Sequence, residues 1–169
     1  MRLRPYVHSH DFDVISAWIS DERTNALWSA DRISFPLEKE SFGRFLEQQF
    51  ERSGDCPFVA AQDDGRVVGF ICCSVNCESD EAMLKFVVVD PVQRGKGYGK
   101  DMVRLAAKYA FEIAGALLVH LNVFTVNSAA RRCYESVGFV HRNTAPDAFT
   151  FKGESWGRCN MILTHERVK

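Results

Sequence analysis

In residues 87–102, a run of valines is followed by a glycine-rich loop and then by apolar residues at helical spacing. The segment reads VVVDPVQRGKGYGKDM, in which Gly95, Gly97 and Gly99 alternate with polar side chains. A strand followed by a glycine-rich turn and a helix N-terminus directs several backbone N–H groups toward one point, which attracts an anion. This order of elements predicts an anion-binding site and limits the chain to folds that contain such a unit.

The spacing of the glycines separates this loop from two common phosphate-binding loops. The dinucleotide fingerprint requires G-x-G-x-x-G and an acidic residue on the following strand. This chain has G-x-G-x-G instead, and its next apolar run, LLVHLNVF, contains no acid. A P-loop requires G-x-x-x-x-G-K-[ST], but the fifth residue after Gly95 is Lys100. A bound anion is favoured over an empty turn by five nearby cations: Arg94, Lys96, Lys100, Arg104 and Lys108.

Length and composition set further bounds. With 169 residues, the chain predicts one domain, residues 1–169, with a full hydrophobic core. No apolar run approaches the ~18 residues of a membrane span, and the N-terminal segment lacks the apolar core of a signal peptide. We therefore expect a cytoplasmic protein with reduced cysteines and no membrane partner. The six cysteines lack a second pair at zinc-binding spacing, so no metal is expected.

Charge is divided unequally between the two halves of the chain. Residues 1–90 hold 9 Lys and Arg against 16 Asp and Glu, whereas residues 91–169 hold 12 against 6. Two interpretations remain open: a chance distribution of solvated charge, or a second half that binds an anion and a first half that faces a cation. A nucleic-acid partner is not expected, because the basic residues cluster around the glycine loop and the net charge is −1.

Hydrophobic periodicity predicts a mixed α+β domain. A D-D-G-R turn between two β-rich runs predicts a hairpin, and Pro36 is placed in the first turn of a helix. Residues 20–35 show no sustained period and are interpreted as a loop or a broken helix. The remaining predicted elements are a strand at 3–7, helices at 11–19 and 36–54, a strand at 82–90, a helix at 100–115, a strand at 116–124, a helix at 128–138, and closing strands at 139–142 and 158–164 around a looser segment at 143–157.

A second motif lies one strand beyond the glycine loop. Arg94, Gly97 and Gly99 match the pattern Arg/Gln-x-x-Gly-x-Gly/Ala, and the later segment NVFTVNSAARRCYESVGF carries Asn127 and Tyr134 in register. Together with the order of elements, these motifs resemble the GNAT N-acetyltransferase superfamily over nearly the whole chain, and its ribosomal-protein and small-amine acetyltransferases in particular. The resemblance implies a mixed, mostly antiparallel twisted sheet of six to seven strands with about four helices, splayed at an acetyl-CoA site.

The same resemblance implies how acetyl-CoA, the co-substrate, is held. Its pyrophosphate would lie on the backbone N–H groups of the glycine loop, and its pantetheine arm would pair like an extra strand with the valines before the loop. The implied cofactor-binding residues are Val87, Val88, Val89, Arg94, Gly95, Lys96, Gly97, Tyr98, Gly99, Lys100, Asn127 and Tyr134.

The implied reaction is the direct attack of an amine on the thioester in a ternary complex. The resemblance implies that the Val88 N–H stabilises the oxyanion and that Tyr134 protonates the leaving thiolate. Where many relatives carry a glutamate base, this chain has Met83 and Asn122. Glu81 is then the nearest acidic candidate for the base, ahead of Asp80 and His120, and relay of the proton through water to several groups is preferred over a single base.

The early helical region carries acidic and aromatic side chains, among them Glu22, Trp28 and Phe35. A groove of this kind would favour a cationic amine through steering and cation–π contacts. The expected acceptor is therefore a polyamine-like or aminoglycoside-like small molecule, or a protein N-terminus. A sensor or scaffold that binds acyl-CoA without transfer is the alternative from another functional class, and a homodimer is expected from the resemblance alone.

Overall fold

A computed structural model of the protein describes residues 1–168 as one seven-stranded sheet with five α-helices. The strands are β1 Arg2–Pro5, β2 Cys56–Ala61, β3 Val67–Asn76, β4 Glu81–Val89, β5 Leu118–Phe124, β6 Val140–Phe151 and β7 Glu154–Leu163. The helices are α1 His8–Ser16, α2 Glu22–Ser29, α3 Lys39–Ser53, α4 Tyr98–Lys108 and α5 Ser128–Val137. Within this described range, none of the helices has both the length and the hydropathy needed to cross a membrane.

The sheet order is β1-β2-β3-β4-β5-β7-β6, and only β4 and β5 are parallel neighbours. Helices α4 and α5 cover one face, where Met102 and Val137 are fully buried. Helices α1 and α3 cover the other face, where Ile15 and Phe42 are buried. We refer to these as the α4–α5 face and the α1–α3 face. The mixed, mostly antiparallel α+β architecture predicted from the sequence is confirmed.

Strand β4 contains a bulge at Phe86, whose φ is +51°. The register with β3 shifts by one residue at this point, so that two residues of β4 oppose one of β3. Before the bulge, Leu84 packs on the α4–α5 face, whereas Val88 after it packs on the α1–α3 face. In a regular strand, two residues four positions apart point to the same face. The extra residue in the bulge reverses this, so that side chains after it point to the opposite face.

Strands β4 and β5 pair along only part of their length. Their parallel pairing begins at Glu81 and Leu118 and ends at Leu84 and Leu121. Both strands continue beyond this point, β4 by five residues and β5 by three. A gap therefore opens between their C-terminal halves, directly after the point where pairing stops, and the splayed sheet expected from the sequence is confirmed.

The segment 20–35 contains helix α2, which the periodicity did not predict. The Asp21 side chain accepts a hydrogen bond from the Thr24 N–H at 2.8 Å and caps the helix. Ala30, with a φ of +52°, ends it. The next helix, α3, begins at Lys39, so the expectation that Pro36 lies in its first turn is wrong. The chain thus has five α-helices where about four were expected.

The segment 143–157, predicted to be loose, forms a long hairpin of β6 and β7. Register shifts interrupt the pairing, and Pro146 lies on β6, an edge strand where a missing N–H is tolerated. The hairpin contacts α2 through Arg23, which pairs with Glu154 at 2.8 Å and lies over the Trp156 ring at 5.1 Å. Helix α2 is therefore held in place by the far end of the sheet.

Candidate functional site

The turn between β4 and α4 brings backbone N–H groups to the end of the gap. Asp90 accepts a hydrogen bond from the Val92 N–H at 2.9 Å, and a short 3-10 turn follows. Gly95 and Gly97 then have φ angles of +80° and +87°, a left-handed backbone that costs other residues roughly 1–2 kcal/mol. The first N–H groups of α4 have no acceptor inside the helix and lie at the positive end of its dipole. The turn can therefore bind an anion.

A cleft with a volume of ≈ 570 Å³ extends from this turn along the gap, and we call it the loop cleft. Lys96 and Tyr98 do not line it: the Lys96 Nζ donates to the Gln93 Oε1 at 3.0 Å, and Tyr98 packs toward the α4–α5 core. The loop cleft brings together the other predicted cofactor-binding residues: Val87, Val88, Val89, Arg94, Gly95, Gly97, Gly99, Lys100, Asn127 and Tyr134.

Helix α5 contributes one wall of the loop cleft that our sequence interpretation missed. Ala129, Arg132, Cys133 and Ser136 all line the cleft, and their i, i+3, i+4, i+7 spacing places them on one side of the helix. That spacing was the available signal in the sequence. Arg132 adds a cation to the wall opposite the valines of β4.

The alternation of the β4 backbone decides which of its groups face the gap. Val88 lies opposite a residue of β3, and two residues later the Asp90 N–H donates to the Val68 carbonyl oxygen at 3.0 Å. In an antiparallel ladder every second residue bonds to the same neighbour, so the Val88 N–H also points to β3. Val87 and Val89 point their N–H and C=O groups toward the gap instead. The register therefore contradicts the expectation that the Val88 N–H is free to stabilise an oxyanion.

Tyr134 lies on the buried side of α5, with 6% of its surface exposed. Its ring packs against Phe139 at a centroid distance of 6.1 Å, and burial raises the pKa of its hydroxyl above the ordinary value. Within residues 1–168 this hydroxyl has no hydrogen-bond partner. Asn127, on the turn before α5, accepts a hydrogen bond from the Ala130 N–H at 3.2 Å, so it caps the helix as well as lining the cleft.

A second, smaller cleft of ≈ 250 Å³ is lined by residues of α2, β4, β5 and β7, and we call it the basic cleft. Its charged lining residues are Arg32, Lys85 and Arg158. Among the described residues that line either cleft there is no Asp, Glu or His. The two clefts share six lining residues: Leu27, Trp28, Val87, Asn127, Ala130 and Tyr134. Tyr134 therefore stands where the clefts meet.

Besides Lys96 and Tyr98, three predicted site residues lie outside both clefts. Glu81 is at the start of β4, about 20 Å along the strand from Val87, and its Oε1 is 3.9 Å from the Arg142 Nη1. This position contradicts Glu81 as the nearest base. Glu22 forms an ion pair with Lys152 on the surface, and Phe35 lines neither cleft. Trp28 is the one predicted acceptor-binding residue that lines the clefts, so the structure does not assemble the expected acidic groove.

The described residues offer no metal site of the usual kind. Within residues 1–168, no group of three or more His, Cys, Asp and Glu side chains is close enough to hold an ion.

Comparison with known proteins agrees with this geometry. The profile of the Acetyltransferase (GNAT) family matches residues 17–139, which contain the glycine turn, the gap and Tyr134. The chain belongs to the GNAT acetyltransferase family. A solved structure of spermidine N-acetyltransferase from Vibrio cholerae, in complex with CoA and spermine, has the same fold. Its TM-score is 0.82 at 19% identity, over 98% of this GNAT chain and 95% of that protein.

Two sequence relatives show how varied the similar proteins are. An uncharacterized prophage-derived N-acetyltransferase of Bacillus subtilis, YokL, is 26% identical over 85% of this chain and 80% of its own length. N-acetylaspartate synthetase of Xenopus tropicalis is 34% identical over 57% of this chain, a match that spans 35% of that protein. The family and the fold are therefore shared, whereas the names of the similar proteins point to different acceptors.

Proposed function

We propose that this GNAT protein is an N-acetyltransferase that moves the acetyl group of acetyl-CoA to a primary amine in a ternary complex. The position of Tyr134 carries the proposal, because this largely buried residue lines both the loop cleft and the basic cleft. A donor bound along the loop cleft and an acceptor bound in the basic cleft would meet beside the Tyr134 hydroxyl.

The loop cleft suits acetyl-CoA along its length. The N–H groups of the glycine turn, with Arg94 and Lys100, would bind the pyrophosphate, and Arg132 adds a third cation from α5. The amides of the pantetheine arm would pair with the Val87 C=O and with the N–H and C=O groups of Val89. These groups are available because β5 has already separated from β4 at this point.

Two groups of the chain would act on the bonds that change. The amine attacks the thioester carbon, the carbonyl oxygen becomes an oxyanion, and the C–S bond breaks to release CoA as a thiolate. The Val87 N–H, which faces the gap, would stabilise the oxyanion, an interaction typically worth a factor of about 10²–10³ in kcat. Tyr134 would then donate its proton to the sulfur. Burial raises the pKa of Tyr134, so the hydroxyl remains protonated until the thiolate forms.

The amine must lose its proton without a dedicated base, since no described lining residue of either cleft is Asp, Glu or His. Free alkylamines are mostly protonated at pH 7, because their pKa is about 10. Arg32 and Arg158 of the basic cleft disfavour an additional positive charge. The pKa of a bound amine is therefore lowered, its neutral fraction grows, and water carries the proton away.

Two classes of acceptor have separate support. A polyamine, the cationic acceptor expected from the sequence, is supported by the likeness to the Vibrio cholerae enzyme solved with spermine. A small amine that brings no further positive charge is supported by the cations of the basic cleft. The cleft volume of ≈ 250 Å³ lies below the roughly 300–1,000 Å³ typical of sites for drug-sized ligands, which favours a small molecule over a protein N-terminus.

The test follows CoA thiol release from acetyl-CoA with a mixed panel of amines and N-terminal peptides. Tyr134→Phe should lower kcat about 10²–10⁴-fold, the usual contribution of a positioned proton donor, while the Kd for CoA stays unchanged. Tyr109→Phe is the matched control, because Tyr109 packs on Phe58 outside both clefts. Tight CoA binding with no release from any acceptor would instead indicate a sensor, and full activity of Tyr134→Phe would exclude its role as the acid.

A further inference from the structure

The basic cleft has an excess of positive charge that the proposed reaction does not require. Arg32 follows α2, Lys85 lies on β4 and Arg158 lies on β7, so three separate elements bring a cation to one small site. We infer that the acceptor amine carries a carboxylate group, as a free amino acid does, and that Arg158 and Arg32 bind this group. The inference rests on the proposed acetyltransferase function and specifies its substrate.

The three cations differ in how far their charge is already compensated. The Lys85 Nζ lies 2.7 Å from the Asp55 Oδ1, and the two side chains are only 13% and 1% exposed. This buried pair is close to neutral as a unit. Lys85 therefore forms part of the wall of the cleft and is not free to bind a ligand charge.

The positive charge of Arg32 is not compensated, because the side chains that contact its guanidinium are neutral. Its Nη2 donates to the Gln49 Oε1 at 2.6 Å, and its guanidinium lies 5.7 Å and 5.4 Å from the ring centroids of Phe45 and Phe86. These contacts fix the orientation of the guanidinium without supplying a negative charge. Arg32 is therefore a positioned cation, and such a group binds a carboxylate at a smaller entropic cost than a mobile side chain.

The Arg158 side chain is exposed and forms no hydrogen bond or ion pair with another side chain among residues 1–168. It lies on β7 opposite Phe124 of β5, beside the pair in which the Asn160 Nδ2 donates to the Asn122 Oδ1 at 3.0 Å. A planar guanidinium with free donors suits the two oxygens of a carboxylate. Trp28, which lines both clefts, adds a buried donor, because its Nε1 has no hydrogen-bond partner among the described residues. The cleft is therefore rich in donors and poor in acceptors.

The carboxylates on and beside α2 lie outside the lining of the basic cleft. Asp21 caps the helix, and Asp31, which precedes Arg32, is exposed and does not line the cleft. Glu22 pairs with Lys152, and Glu154 pairs with Arg23, both at the surface and outside the lining of the cleft. A polyamine that entered the basic cleft would meet two uncompensated guanidinium groups and no described carboxylate. An amino acid would place its carboxylate on those groups and its amine toward Tyr134.

The test compares acceptors that differ by a single charge, with acetyl-CoA as the donor and CoA thiol release as the signal. The probes are L-aspartate, L-glutamate and L-leucine, each beside its α-carboxamide, together with spermidine and putrescine. The wild-type protein should acetylate at least one amino acid with a kcat/KM on the order of tenfold or more above that of its carboxamide, the contribution expected from one charged hydrogen bond at an exposed site.

Variants then assign the preference to the cleft. Arg158→Gln should raise KM for the amino acid about tenfold with little change in kcat, because the lost contact binds the substrate before and during the reaction equally. Arg158→Glu should reverse the preference toward the carboxamide or the polyamines. Increasing NaCl should reduce the wild-type preference and should have a smaller effect on that of Arg158→Gln, in which only Arg32 remains to attract the carboxylate. Arg66→Gln, in the β2–β3 turn, is the control cation outside the cleft and should behave as wild type.

The outcomes separate this inference from the proposed function. Turnover of spermidine or putrescine in preference to every amino acid, unaltered in Arg158→Glu, would overturn the carboxylate acceptor and leave the acetyltransferase intact. Equal turnover of the amino acids and their carboxamides would overturn it as well. Release of no thiol with any amine, although CoA binds, would overturn the function itself and this inference with it.

Discussion

Gly138 and Gly54 end two helices with a left-handed backbone but in different surroundings. Gly138 follows α5 with a φ of +118°, and a Cβ added there would lie 2.0 Å from the Arg167 carbonyl oxygen. Gly54 follows α3 with a φ of +63° and has no neighbouring atom within 4 Å of such a Cβ. Substitution of each by alanine separates the cost of the backbone conformation from the cost of the contact.

The structure gives different magnitudes for the two substitutions. Gly54→Ala should lower the free energy of unfolding by about 1–2 kcal/mol, the cost of a left-handed residue that has a Cβ. Gly138→Ala pays this cost and also forces the backbone of Arg167 to move, since real Cβ atoms essentially never approach a neighbour below 3.0 Å. Overpacking of this kind adds about 1–3 kcal/mol, for a total of about 2–5 kcal/mol.

Urea denaturation followed by fluorescence would measure both differences under the same conditions. Deletion of residues 165–169 removes the contacting carbonyl, so in that background Gly138→Ala should cost about 1–3 kcal/mol less than it does in the full chain. If the two substitutions cost the same in the full chain, or if the deletion leaves the cost of Gly138→Ala unchanged, the steric argument is refuted.

Three further outcomes are expected. Lys85→Met leaves the buried Asp55 without its ion-pair partner and should cost about 3–5 kcal/mol in urea denaturation; a cost below 1 kcal/mol would mean that water reaches this carboxylate. Burial opposes ionisation of Asp11, but hydrogen bonds from Arg4 and the Val7 N–H hold its pKa below the ordinary value. The free energy of unfolding that the ionised Asp11 contributes is present above its unfolded pKa of about 3.9 and is lost as pH falls through its folded pKa. Asp11→Asn should therefore make the free energy of unfolding depend less on pH at the acid end of a series from pH 7 to pH 2. Without an enzyme base, log kcat/KM should rise by about one unit per pH unit up to the pKa of the acceptor amine. A plateau below pH 7 in initial-rate measurements would show that a group of the enzyme acts as the base.

Features encoded by neighbouring residues could be predicted from the sequence. The glycine turn was recognisable because Gly95 and Gly97 lie between a valine run and a helical stripe, and both have the left-handed backbone that glycine permits. Asn127 and Tyr134, seven residues apart on one short segment, both line the clefts as expected. The homodimer expected from the resemblance stays a prediction.

Features that depend on distant contacts were not recognisable. Helix α2 has few apolar residues, and its stability comes from the Asp21 cap and the contact of Arg23 with the hairpin. Residues 143–157 contain a proline and turn-forming residues, so their pairing as β6 and β7 could not be distinguished from a loop. The bulge at Phe86 has no local signal, yet it decides that Val87 and not Val88 turns its N–H to the gap.

The acidic groove expected from the sequence illustrates a limit of charge counting. The first half of the chain has more carboxylates than cations, but Asp21 caps a helix and Glu22 pairs with Lys152. The cations that line the basic cleft come from the turn after α2 and from two strands, one of them in the second half of the chain. Total charge therefore did not report the charge of the site.

Helix α2 has 8 residues, fewer than the ~12–15 that an isolated helix needs to persist in water. It is ordered by contacts with the rest of the protein, among them those of Arg23 with Trp156 and of Trp28 with Phe70. Its residues Leu27 and Trp28 also line both clefts. Any ligand that contacts these two side chains binds only molecules in which α2 is folded, so occupancy of one cleft raises the free energy of local opening of the helix. The first ligand then compensates part of the conformational entropy that is lost when α2 becomes ordered, so the second ligand binds more tightly. Donor and acceptor would thus bind cooperatively through α2, beyond any contact that they make with each other, and the backbone amides of α2 would exchange with deuterium most slowly when both are present.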